Sequence, residues 1–95
     1  MTPEELVEKV TDKESFLEFV EALRNDREIS EKAEVEKPSS PYGPDAGGWQ
    51  NTTIESFLEA SIGWAEDTDF GVLRLGDVSP WRTFAEFLLL GKLYE

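Results

Sequence analysis

A chain of 95 residues, 39% of them hydrophobic and 12% aromatic, has material for one core; at this size only roughly 60% of the unfolded surface is buried, too little to divide between two domains, so a single domain over 1–95 is expected. The net charge is −12, from 9 Lys+Arg against 21 Asp+Glu, shared equally between the segments before and after Pro38. Nucleic acid and anionic membrane are repelled by such a field, and a basic protein is attracted to it.

The opening "MTPEELVEKV" has neither the basic head nor the apolar stretch of a signal peptide, and no apolar run approaches the ~20 residues that cross a bilayer. A cytoplasmic location is the expectation. Thr2 as N-cap, Pro3 at the first helical position and Glu5 three residues after the cap predict a short helix over 3–10. Thr11 and Glu14 repeat the Thr-x-x-Glu box, and Phe16, Phe19, Val20 and Leu23 fall at i, i+3, i+4 and i+7, which predicts an amphipathic helix over 12–27. The charged stretch "EISEKAEVEK", 28–37, fits a helix extension or an exposed strand and is left open. "PSSPYGPDAGG", 38–48, is a loop; its two overlapping Pro-x-x-P spacings read as a connector stiffened by proline rather than a polyproline ligand.

Thr52 and Glu55 form a third box, with Asn51 as a competing cap, and open a helix over 53–66. Its apolar face is Ile54, Phe57, Leu58, Ser61, Ile62 and Ala65, flanked by Trp64, while Trp49 is placed to fold back on the first turn. "EDTDFGVLRLGDV", with Gly71 and Gly76, fits one short strand or an ordered loop at 70–76. Ser79 then caps a last helix over 80–93, with Pro80 at its first position; its apolar residues cover nearly the whole circumference, as at the centre of a bundle. Phe57, Trp64, Trp81, Phe84 and Leu88 are expected to form the core. The fold class is therefore mainly α, a small bundle of about four helices, with α+β as the alternative if 70–76 is a strand.

Chemistry is sparse. The absence of cysteine and histidine removes disulfide scaffolds, thiolate nucleophiles, imidazole bases and the commonest transition-metal ligands. "DTDFG" from Asp67 resembles the start of a calcium loop, but the sixth position is Val72 where glycine is needed and the twelfth is Val78 where a bidentate Glu belongs. Gly43, Gly47 and Gly48 lack the Lys-Ser/Thr of a phosphate cradle, and no pair of carboxylates stands out among so many. The serines and threonines have no histidine base, and the five lysines sit in polar or terminal settings. No enzyme, cofactor or metal is expected.

The pairing of "GGWQNTTIESFLEASIGWAED" with the terminal "PWRTFAEFLLLGKLYE" resembles a family of small uncharacterised bacterial proteins, a domain of unknown function. The resemblance runs through Trp49, Asn51, Phe57, Leu58, Ala60 and Trp64, then Trp81, Phe84, Ala85, Leu88, Tyr94 and Glu95, with "SFLEFVEALRND" as a looser match upstream. It omits the acidic stretch after Arg27 and the "FGVLRLGD" loop, and it implies relatives without implying an activity.

Two functions fit these observations. The first is an acidic protein-binding module, such as an immunity-type inhibitor of a basic bacterial partner, whose recruiting rim is Glu66, Asp67, Asp69 and Asp77 around Phe70 and Val72. The second is a small-molecule or regulatory domain with a pocket walled by Trp49, Asn51, Trp81 and Tyr94.

Overall fold

The Thr2 hydroxyl accepts a hydrogen bond from the Glu5 amide (3.2 Å) and the Glu5 carboxylate accepts one from the Thr2 amide (3.2 Å), so the first turn starts with its free donors satisfied. In the computed structural model, which describes residues 1–40, 43–45, 47–68 and 79–95, this box opens α1 (Pro3–Leu6). A single 3₁₀ turn, Val7–Lys9, follows. The expected helix over 3–10 is thus α over 3–6 and 3₁₀ over 7–9, with Val10 extended beyond it.

Helix α2 runs from Lys13 to Glu36, well past the expected end at Arg27, and settles the open stretch as helix. Its interior holds neither Gly nor Pro, Arg27 pairs with Glu31 one turn on (3.5 Å), and Ser30 is buried. It ends where Pro38 forces the preceding residue out of helical geometry: Lys37 sits at φ −147°, ψ 91°. The cap is Asp12 with Ser15, one residue later than the expected Thr11 and Glu14; Asp12 Oδ1 accepts from the Ser15 amide at 2.9 Å. A short ionised carboxylate is the better acceptor beside the positive helix end.

Helix α3 (Ile54–Asp67) is likewise capped one residue late, by Thr53 with Ser56 rather than by Thr52 with Glu55 or by Asn51. Helix α4 (Pro80–Leu93) starts as expected, with Ser79 accepting from the Arg82 amide (3.2 Å) and Pro80 at its first position. The fold is mainly α, with no strand among the described residues; the alternative strand at 70–76 falls on residues outside the description.

The most extensive packing is α3 against α4, while α1 and the 3₁₀ turn lie against α2 and α4 respectively. Val7, Val10, Phe19, Leu23, Trp49, Ala85 and Leu89 form the buried cluster, and Phe16, Val20, Phe57 and Leu88 pack on it. The expected core is corrected in part. Phe57 and Leu88 do border the cluster, but Phe84 is 57% exposed, Trp81 is exposed and Trp64 is only half-buried. The reason lies in how closely α3 and α4 approach: a Cβ added to Gly91 would stand 2.7 Å from the Phe57 ring and 2.7 Å from Ser61 Oγ. Such a contact selects small residues: Ser61 of α3 and Gly91 of α4 meet there, and Ser61 donates to the Phe87 carbonyl at 2.9 Å; Ala60 and Ala85 are buried as well. Of the bulky apolar residues, Ile54, Leu58, Ile62, Trp81 and Phe84 are left exposed, while Leu89 is buried and Phe57 and Leu88 pack against the core.

Candidate functional site

Asp45 organises the turn that delivers Trp49. Its carbonyl accepts from the Gly48 amide (2.9 Å), and Oδ1 accepts from the amides of Gly47 (3.0 Å) and Trp49 (2.9 Å). Gly48 takes φ +82°, a conformation glycine adopts without steric cost, and Gly47 comes so near α2 that a Cβ there would lie 2.9 Å from Ser30 Cβ. Burial raises the Asp45 pKa, but the Ser30 hydroxyl, the two turn amides and the Arg27 guanidinium (2.8 Å) together hold it below the usual aspartate range.

Trp49 is therefore presented to the core from the loop. Its indole N–H donates to Asp26 Oδ2 (2.9 Å), its ring stacks on Phe57 with centroids 6.1 Å apart, and the Arg27 guanidinium (5.4 Å) and Lys92 ammonium (5.5 Å) both lie over it. Lys92 is only 3% exposed, and its Nζ is 2.7 Å from both Glu4 and Asp26. Burial lowers its pKa, yet the hydrogen bonds to Asp26 and Glu4 outweigh that and the net shift is upward.

The same corner ties down the end of α4. The Lys92 carbonyl accepts from the Gln50 amide (2.9 Å), and Asn51 Nδ2 donates to the carbonyls of Gly91 (3.0 Å) and Tyr94 (2.7 Å). Asn51 is thus a clamp on otherwise unpaired helix-end carbonyls. The Tyr94 hydroxyl donates to Asp67 Oδ2, a contact that raises the tyrosine's pKa.

Beside this corner an apolar groove of about 510 Å³ opens between α2 and α3, with Leu88 of α4 among its walls. Val20 and Leu23 line one side, Ile54, Phe57 and Leu58 the other, and Trp49 and Asn51 one border. Ile54, Leu58 and Ile62 are 77%, 47% and 52% exposed, a stripe with one residue per turn. The expected apolar face of this helix is corrected in part: Ser61 is buried and Phe57 packs on the core as expected, but Ala60 is buried too, and Ile54, Leu58 and Ile62 stand exposed on the flank.

Of the four residues expected to wall a pocket, Trp49 and Asn51 share the groove, while Asn51 and Tyr94 share a smaller hollow of about 340 Å³ with Asp67. Trp81 lines neither and packs on Phe16, centroids 5.5 Å apart. Of the expected partner-binding residues, Glu66 and Asp67 are exposed at the end of α3; Asp69, Phe70, Val72 and Asp77 lie outside the described residues, as does nearly all of the calcium-like stretch. Sequence reasoning missed the Glu4–Asp26–Lys92 cluster, whose members are 22 or more positions apart and carry no local signal. It also missed the exposed stripe, because a spacing of four reads identically for a buried and an open face.

Residues 12–95 match a family described as "Family of unknown function (DUF7660)". The chain belongs to that family. The matched residues span the three long helices and leave out α1 and the 3₁₀ turn, although Pro3, Val7 and Val10 are buried. No curated protein and no solved structure matches the chain.

Proposed function

We propose that the domain is a non-enzymatic, acidic protein-binding module of the bacterial cytoplasm whose partner is a basic protein. An immunity-type inhibitor covering the basic site of a toxin or nuclease is the concrete case. The observation that carries this reading is α3, where the exposed Ile54, Leu58 and Ile62 share a helix with Glu55, Glu59, Glu66 and Asp67 and with no Lys or Arg. Charge steers an oppositely charged partner over about a Debye length, ~8 Å at physiological salt, and desolvated aliphatic contacts then hold the complex. Lys92 supports the non-enzymatic part. An amine nucleophile must lose its proton readily, whereas two carboxylates keep this one charged.

The aromatic-pocket reading draws less support. Trp49 is buried with its N–H given to Asp26, Asn51 donates to two backbone carbonyls, and Trp81 packs elsewhere. The test is capture from a native bacterial lysate at low salt, identification of each captured protein, and stopped-flow association of the domain with each of them in purified form. A basic partner whose association slows as salt rises is expected; captured proteins without charge bias, or rates indifferent to salt, contradict the reading.

A further inference from the structure

The groove between α2 and α3 has a shape and a charge that select among occupants. We propose that it receives a basic amphipathic helix of the partner protein, apolar face toward Leu58 and Leu88, with Lys or Arg side chains toward Glu28 on the α2 rim; this rests on the protein-binding reading above. Three observations select that occupant. Ile54 and Leu58, one turn apart, line the groove with Val20, Leu23 and Phe57, and Ile62 continues the exposed stripe beyond it over about 12 Å in all, a spacing that suits the i, i+4, i+7 anchors of an incoming helix. An extended peptide would need an open sheet edge, and there is no strand among the described residues to offer one.

Charge supplies the third. The charged residues that line the groove are Arg24, Arg27, Glu28 and Glu31, all of α2; both arginines are already paired, with Glu21 and with Asp45 and Glu31, so Glu28 is left without an ion pair among the described residues and the free charge on this face is negative. A cationic helix gains from that side, and a second copy of this chain would bring −12 against −12. The affinity comes from the aliphatic centre, and the carboxylates set the rate and the sign of the partner.

The test uses the full chain with methyl-labelled Ile, Leu and Val, titrated with a synthetic Leu/Lys peptide whose leucines repeat at i, i+4, i+7 and i+11, and with a peptide of the same composition in scrambled order. Saturable shifts at the methyls of Val20, Ile54, Leu58 and Leu88 are expected with the ordered peptide alone. Leu58→Glu should weaken binding roughly tenfold or more while leaving the thermal melt in place. Ile54→Glu, at a more exposed position, repeats the test if Leu58→Glu alters the fold. Equal binding of the scrambled peptide, shifts confined to other methyls, or the same methyls shifting on self-association would each overturn the assignment. A purified basic partner that binds both variants as tightly as the unaltered domain overturns the groove alone; the lack of any basic partner overturns the reading beneath it.

Discussion

Phe19 and Phe84 are both helical phenylalanines with apolar neighbours one turn away, yet one is wholly buried and the other faces outward. Phe19→Ala should therefore cost roughly 3–5 kcal/mol through lost transfer energy and the cavity left behind, and Phe84→Ala less than about 1 kcal/mol. Urea unfolding of the two variants checks the difference, and equal losses would place both rings in the same environment. At Asp45 the sign of the pH dependence follows from its lowered pKa. The folded state binds its proton less readily than the unfolded chain, so the stabilisation is complete above the ordinary aspartate value of about 3.9 and is lost as pH falls through the folded value. Thermal melts from neutral to acid pH should show a steeper acid decline for the unaltered protein than for Asp45→Asn. Identical declines would remove Asp45 as a contributor.

Helix positions were legible in the sequence because caps and prolines act locally. Thr2, Pro3, Ser79, Pro80 and Pro38 each mark a boundary that the structure respects to within a residue or two. Which face each helix buries was less legible, because that depends on how near its neighbour comes. Along α4 every turn offers a large apolar residue, and the packing of its neighbours buries Ala85 and Leu89 together while Phe84 is left exposed. Gly91→Ala tests this at the level of the helix pair. The added methyl meets the Phe57 ring and Ser61 Oγ at 2.7 Å, so the ring, the hydroxyl or the helices themselves must shift within a packed contact, and a loss of about 1–3 kcal/mol is expected in chemical denaturation. A variant as stable as the parent would show that the α3–α4 contact yields freely. The long tail of α2 failed to read as helix for a different reason: besides its local pair, it is held by Arg27 bound to Asp45 and by Ser30 lying against the Gly47 turn, contacts between distant parts of the chain.

Across the molecule, one corner holds the elements together: Lys92 reaches Glu4 of α1 and Asp26 of α2, while Asn51 and Gln50 bind the end of α4 from the loop before α3. That corner leaves the α2–α3 groove open beside it, in a chain carrying −12. The candidate site was legible only as composition, an acidic chain with spare apolar residues; its location emerged from the packing of α3 on α4. On the reading proposed above, apolar burial in this groove, with charge as the guide, is how the domain binds. Calorimetric titration of the domain with the ordered Leu/Lys helix over a series of temperatures tests it most directly, since a negative heat-capacity change marks apolar burial on binding. One-to-one binding with a negative heat-capacity change that largely disappears in Leu58→Glu is the predicted result; a heat-capacity change near zero, or one untouched by Leu58→Glu, would reduce the interaction to charge alone and contradict the account.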